Sequence, residues 1–240
     1  LIAQKLIEGR ALPEFRDAIA YGKEIAIDNH RIDFVLSYHA GDVLMEVKGC
    51  TLFQNDLALF PDAPTKRGRE HVDLLAEYGD SILLFLVMNN SVRYFSPNVE
   101  TDPKFHESFL HALAKGVHVI PATFYFDGKT LHHVGRIPFI SDPHDDELFS
   151  LANLAADAAE EYSKRFGPGA NAVLSGVSRI NGVPYIHVVF YGIFCQSCGI
   201  YDYFDDYGLI LAEQGVKSAS DAVNQFGNTY VVRFRVKEVG

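Results

Sequence analysis

Apolar residues recur with two different spacings along this chain, and the switches between them outline its elements. Leu1, Ile2, Leu6 and Ile7 have helical spacing, with Gly9 as a stop. Three extended stretches follow: KEIAID (23–28), RIDFVLSY (31–38) and DVLMEVKGCTL (42–52). His39-Ala40-Gly41 separates the last two, which predicts a hairpin. After the break FPDAP, the run TKRGREHVDLLAEYG predicts a helix with Thr65 as N-cap and Gly79 just past its end. SILLFLVM (81–88) is apolar on both faces and predicts a central, fully buried strand. DPKFHESFLHALAKG predicts a helix opened by Pro103 and closed by Gly116, and VHVIPATFYF returns as a strand.

The order α-β-β-β-α-β-α-β predicts a mixed sheet sandwiched by helices, an α/β (α+β) fold, over residues 1–144. A further helix is expected from Asp146 to Phe166, then strands at 172–180, 184–194 and 229–236. Residues 145–240 are therefore expected to form an appended α+β domain.

Composition narrows the class. With 240 residues, 48% hydrophobic and 22% charged, the chain has material for a substantial core. Its longest apolar run is far too short to span a bilayer, which excludes a helical membrane anchor in this sequence. No basic-then-apolar leader is visible and three cysteines make no disulfide framework, so a cytoplasmic location is expected. The net charge of -10 argues against a general polyanion binder, so any cationic patch is local.

Two local anomalies point to chemistry. In MEVKGCTL, alternation puts Glu46 and Lys48 on one face of a strand. Folding the hairpin about residues 39–41 sets Asp33 opposite Glu46 or nearly so, and directly opposite cross-strand Cβ atoms lie about 4.5–5.5 Å apart. Two carboxylates that close repel unless a proton or cation lies between them. A hard divalent ion, Mg²⁺ or Mn²⁺, suits such a pair, with Lys48 beside it to act on water or phosphate. Glu8, near the end of the first helix, is a further candidate acid. The competing interpretation is a solvated strand face with a surface ion pair.

The second anomaly is the helix start TKRGREH. A helix N-terminus favours acids, yet Lys66, Arg67 and Arg69 occupy this one, along with the poor helix former Gly68. A bound phosphate would account for both features, with Gly68 allowing close approach. Asp62 is expected to cap the helix or orient a cation. Thr65 reads most simply as a cap, and His71 as either a core or a functional residue.

RIDF, MEVKGCTL, ALFPDAPTKRGREH and ILLFLVM followed by FSPN-E-DP-F resemble, in order and spacing, the sugar fermentation stimulation protein (SfsA) family over roughly residues 1–140. The resemblance implies a PD-(D/E)XK restriction-endonuclease-like core and a DNA-binding protein with Mg²⁺-dependent nuclease activity, RNA being an alternative substrate. It matches Asp33, Glu46 and Lys48 to the D…E-x-K catalytic signature and Glu8 to the acid on the first helix. Arg67, Gly68 and His71 match the family's helix motif. The small OB-like barrel that precedes this core in the family is expected to be absent, and residues 145–240 have no counterpart in it. Two alternatives stand beside the nuclease: a non-catalytic DNA-binding regulator of sugar-metabolism genes on the same scaffold, and a protein-interaction module dominated by the acidic second region.

Other motifs are set aside. Cys195-Gln-Ser-Cys198 is a lone C-x-x-C, and His187 lies at the wrong spacing to complete a zinc finger. His132-His133 is expected in a loop, and His144-Asp145-Asp146 in a linker or cap. The aromatic run from Tyr201 to Tyr207 carries three acids, which suits packing or a protein contact better than stacking on a nucleic acid.

Overall fold

The computed structural model describes residues 2–27, 30–167, 169–194 and 199–240. Helix α1 (Ile2–Glu8) leads through a 3-10 turn (Pro13–Phe15) into β1 (Ala20–Ile27), β2 (His30–Tyr38) and β3 (Gly41–Cys50). A small hairpin, β4 (Leu52–Gln54) and β5 (Leu57–Phe60), precedes α2 (Lys66–Tyr78). Then come β6 (Ser81–Val87), β7 (Tyr94–Pro97), α3 (Pro103–Ala114), β8 (His118–Phe126), β9 (Leu131–Arg136) and β10 (Phe139–Ile140). Helix α4 (Asp146–Phe166), β11 (Ala170–Ile180), β12 (Val183–Gly192), α5 (Ile200–Glu213), β13 (Val216–Phe226) and β14 (Thr229–Val239) follow.

The first sheet has the order β1-β2-β3-β6-β8-β9. Its centre is parallel (β3 with β6, β6 with β8) and its flanks are antiparallel. Strand β6 is buried at every position, as its unbroken apolar run predicts. Period-two alternation divides its side chains: Leu83, Phe85 and Val87 pack with Val72 and Leu75 of α2 and Phe105 and Phe109 of α3. Ile82, Leu84 and Leu86 join Leu6 and Ile7 of α1 on the opposite side.

That opposite side is not covered by helix alone. Val189, Phe226 and Val231, from β12, β13 and β14, pack into the same cluster as α1. The two sheets thus face each other, and α4 and α5 cover the outer face of the second through residues such as Tyr162, Phe204 and Tyr207. The second sheet has the order β13-β14-β12-β11-β10-β7-β5-β4. It runs unbroken across residue 144: β10 pairs in parallel with both β7 and β11. Residues on either side of that position therefore share one sheet and one core.

One local expectation is corrected. His132 and His133 lie on strand β9, not in a loop, because that segment pairs with β8 at the sheet edge. Tyr201 to Tyr207 fall within α5, where Phe204 and Tyr207 are buried. Strand β13, polar and mostly half-exposed, escapes hydrophobic patterning because it is an edge strand held by β14. Asp145 caps α4, accepting from the Leu148 N–H at 3.2 Å and from Arg179 at 2.7 Å. His187 is buried, its ring bonded to Ser178 Oγ at 2.8 Å, and burial lowers its pKa to about 3. The Cys195–Cys198 motif lies outside the described residues.

Candidate functional site

The hairpin closes with Tyr38 opposite Gly41, so His39 and Ala40 form its tip, and the ladder runs to Phe34 opposite Met45. One step further that register sets Asp33 against Glu46. There the Asp33 carboxylate takes over the ladder's work, accepting the Val47 N–H at 2.9 Å. Parallel pairing with β6 sets Glu46 beside Leu83 and Lys48 beside Phe85, in the sheet's interior. Both anomalous charges are therefore held in a rigid, largely dry frame.

Glu46 is buried at 3% exposure. Its Oε1 accepts from Lys48 Nζ at 2.7 Å and bonds to His71 Nδ1. Its Oε2 is buried and has no hydrogen-bond partner. An unpartnered buried carboxylate oxygen is costly, so its persistence asks for a ligand. Asp33, half-buried, has its pKa raised, first by burial and then by the Glu46 charge. The Val47 N–H, Lys48 and His71 oppose that rise without cancelling it. Burial and the facing Glu46 together thus disfavour the charged form of Asp33.

Helix α2 brings His71 to this pair. Arg67 Nε donates to His71 Nε2 across 3.4 Å, which leaves the ring hydrogen on Nδ1, facing Glu46. The i,i+4 spacing of Arg67 and His71 is the sequence signal for this chain of contacts. The sequence leaves His71 as either a core or a functional residue, and burial places it behind Glu46 as its orienting donor.

The other residues at the start of α2 have structural partners. Thr65 Oγ1 caps the helix, accepting from Gly68 N at 3.0 Å. A Cβ on Gly68 would sit 2.6 Å from Thr65 Cγ2, so the cap itself requires glycine there. Asp62 is exposed and is not the cap. Arg69 forks onto Asp102 at 2.8 and 2.9 Å, and Asp102 also accepts from Thr65 N and Phe105 N. Those bonds hold the Asp102 pKa low against the opposing effect of burial. Asp102 was not foreseen as the clamp joining α2 to α3; its only sequence signal is its place before Pro103. Arg69 is therefore occupied, while Lys66 and Arg67 remain exposed at the helix start.

Glu8 lies apart. It accepts from Gln4 Nε2 at 2.8 Å and Tyr21 Oη at 2.5 Å, and these bonds lower its pKa. Its helix packs on the sheet face opposite α2. Among the described residues, no group of three or more His, Cys, Asp or Glu is arranged to hold a metal ion. A two-carboxylate site still fits Mg²⁺, which keeps several waters and uses substrate phosphates as ligands. The bare Glu46 oxygen and the raised Asp33 carboxyl are what such an ion would satisfy. Cys50, also in the interior, bonds Leu59 O at 3.3 Å, and burial pushes its thiol up to about 12, which excludes a thiolate nucleophile at neutral pH.

Comparison with known proteins decides the family. Residues 1–130 match the family described as "Sugar fermentation stimulation protein RE domain". The chain belongs to the sugar fermentation stimulation protein family. A homologue from Methanothermobacter thermautotrophicus is 46% identical over 130 residues, which is 52% of this chain and 54% of the relative. One from Thermoplasma acidophilum is 41% identical over 145 residues, covering 59% of each. The chain thus spans about half the length of the curated relatives it matches. Among solved structures, Pyrococcus furiosus SfsA in complex with Ca²⁺ matches with a TM-score of 0.54 and 25% identity, over 57% of this chain and 62% of that one. The matched family region contains the hairpin, α2 and α3, so the Asp33–Glu46–Lys48–His71 cluster lies within the SfsA part of the chain. Among the described residues no helix is long and apolar enough to cross a membrane.

Proposed function

We propose that this SfsA-family chain hydrolyses phosphodiester bonds of DNA, or of RNA, at a PD-(D/E)XK-type site that uses Mg²⁺ or Mn²⁺. The observation that carries this reading is the buried, unpartnered Oε2 of Glu46 beside the charge-crowded Asp33. A relative solved with Ca²⁺ supports a divalent cation as the missing partner. Asp33 and Glu46 would hold the ion. Once bound, it would neutralise phosphate charge and acidify a water.

The chain's own residues do the rest. Lys48 has three N–H bonds and spends one on Glu46, leaving others for a phosphate oxygen or the attacking water. Charge growing on phosphate in the transition state strengthens that contact, which is how it lowers the barrier. His71 holds Glu46 from behind, with Arg67 fixing its tautomer. Lys66 and the outer part of Arg67 supply cationic surface for the nucleic-acid backbone. Water adds across the P–O bond: its oxygen bonds phosphorus, and the departing oxygen leaves with a proton.

The test is nicking of supercoiled DNA, and cleavage of a labelled RNA, by purified protein with EDTA, Mg²⁺ or Mn²⁺. Metal-dependent cleavage lost in both Lys48→Ala and Asp33→Asn supports the mechanism. Unchanged cleavage in both variants refutes it. A second reading, DNA binding without cleavage, is favoured by Glu8 lying outside the acid pair. It predicts salt-sensitive binding and intact substrate with every metal.

A further inference from the structure

The tip of the β2–β3 hairpin, far from Asp33, borders an open cleft of about 600 Å³. Its walls come from four separate parts of the chain. Arg10 follows α1, Arg16 to Ile19 form the loop before β1, His39 and Ala40 are the hairpin tip, Gln225 is near the end of β13, and Gly227 and Asn228 form the β13–β14 turn. Six residues separate Asp33 from His39, roughly 20 Å of strand. The cleft is therefore a different place from the carboxylate site.

The lining carries two arginines against one acid. Arg31, Arg69, Arg136, Arg165, Arg179 and Arg233 each form an ion pair with a carboxylate. With a net charge of -10, acidic partners are plentiful. Among the described residues Arg10 and Arg16, like Arg67, Arg93 and Arg235, have no carboxylate partner, and these two face the same cleft. Arg16 lies over the Tyr191 ring at 5.1 Å, which holds its plane without neutralising it. The one acid in the lining, Asp17, is turned to the β13–β14 turn, where its Oδ2 accepts the Asn228 N–H at 2.7 Å, and it forms no ion pair with either arginine.

The walls are also fixed in advance. Gly227, at φ +64°, brings the turn so close that a Cβ there would lie 2.2 Å from Asp17 Cβ. Thr229 Oγ1 donates to Pro13 O at 2.9 Å, and Ile19 N donates to Ser37 O at 2.8 Å. Beneath the loop, Glu14 is fully buried between Arg136 and His118, at 2.6 and 2.7 Å. Two guanidiniums without an ion-pair partner and an imidazole on a rigid rim are the donor set that phosphate takes up, and the volume suits a ligand of nucleotide size.

We propose that this cleft is a second anion site, which binds a phosphate-bearing ligand through Arg10, Arg16 and His39. The phosphate can come from a free phosphorylated compound or from a nucleic-acid backbone, and two probes separate these sources. Pyrophosphate is titrated by calorimetry and a fluorescein-labelled DNA duplex by anisotropy. Both are run against wild type, Arg10→Gln/Arg16→Gln, His39→Glu and the control Arg31→Gln.

A tenfold or greater loss of pyrophosphate affinity in the first two variants, but not in the control, supports the site with a free phosphate. Duplex affinity lost in the same variants, with the log–log salt slope falling by about 2 for two contacts, supports the backbone source. Failure of wild type to bind either probe, or affinities unchanged in both variants, overturns the proposal. His39→Glu, on an exposed turn, keeps the test decisive if the arginine pair proves unstable. Asp33→Asn separates this site from the carboxylate site: it abolishes any metal-dependent cleavage and leaves cleft binding intact.

Discussion

Replacing Asp33 by Asn is expected to make the metal-free protein more stable while removing its response to metal. The introduced amide keeps an oxygen for the Val47 N–H, which Asp33 accepts at 2.9 Å, so the backbone contact survives. What disappears is repulsion with Glu46. Two unit charges roughly 5 Å apart at an effective dielectric of about 20 repel by about 3 kcal/mol. Lys48 and His71 oppose this, and the partial exposure of Asp33 screens it further, leaving about 1 kcal/mol. For a chain of this size that raises Tm by about 2–4 °C in EDTA.

The pH dependence has a definite sign. The folded-state pKa of Asp33 lies above its unfolded value, so the folded protein binds the extra proton. Wild-type stability therefore falls as pH rises from the unfolded value of about 3.9 through the raised folded one. The advantage of Asp33→Asn grows across that window and is absent below it. With Mn²⁺ at about 100 times its Kd the order reverses: wild type gains about 2.7 kcal/mol and the variant gains nothing. Melting curves across pH, with EDTA and with Mn²⁺, check both halves. Lower Tm of the variant in EDTA, or equal metal shifts in both proteins, refutes the reasoning.

Three further substitutions test the frame around the site. Asp102→Ala removes the α3 cap, the Thr65 N–H acceptor and the Arg69 partner; at about 1 kcal/mol each it costs about 3 kcal/mol in urea unfolding. Because the Asp102 pKa is lowered on folding, that contribution is present above the unfolded value of about 3.9 and is lost as pH falls through the folded one. Gly68→Ala forces the new Cβ against Thr65 and costs about 1–3 kcal/mol, where an open helix site would gain stability; Gly68→Ala combined with Thr65→Ser, which deletes the clashing methyl, recovers part of the loss. His71→Ala lowers metal affinity, read by Mn²⁺ titration, by about 10–100-fold, and His71→Asn, whose amide can donate to Glu46, recovers part of it.

Much of the site was legible because its parts are local. Side-chain alternation and a tight turn are enough to put Asp33, Glu46 and Lys48 together, and the register observed from Tyr38–Gly41 to Phe34–Met45 is the one that turn implies. Thr65 was legible as a cap for the same reason: a cap is a contact between near neighbours. The family, too, could be read from motifs, since residues 1–130 carry them in order.

The roles of the remaining α2 residues were set by distant partners. Arg69 looked free for phosphate until α3 delivered Asp102, 33 positions away. His71 read as either a core or a functional residue until the helix docked on Glu46, 25 positions away. Gly68 suggested ligand approach, whereas the Thr65 side chain takes up the space. The boundary near residue 144 looked natural because a short acidic stretch intervenes, yet β10 bridges β7 and β11 through backbone bonds that leave no sequence period. The sequence by itself determined the strongly periodic elements, the hairpin and its paired carboxylates, because each follows from side-chain periodicity over a few residues. Only the tertiary structure decided which charges are neutralised and which are left to act, since neutralising a charge takes a partner that the fold brings from elsewhere in the chain.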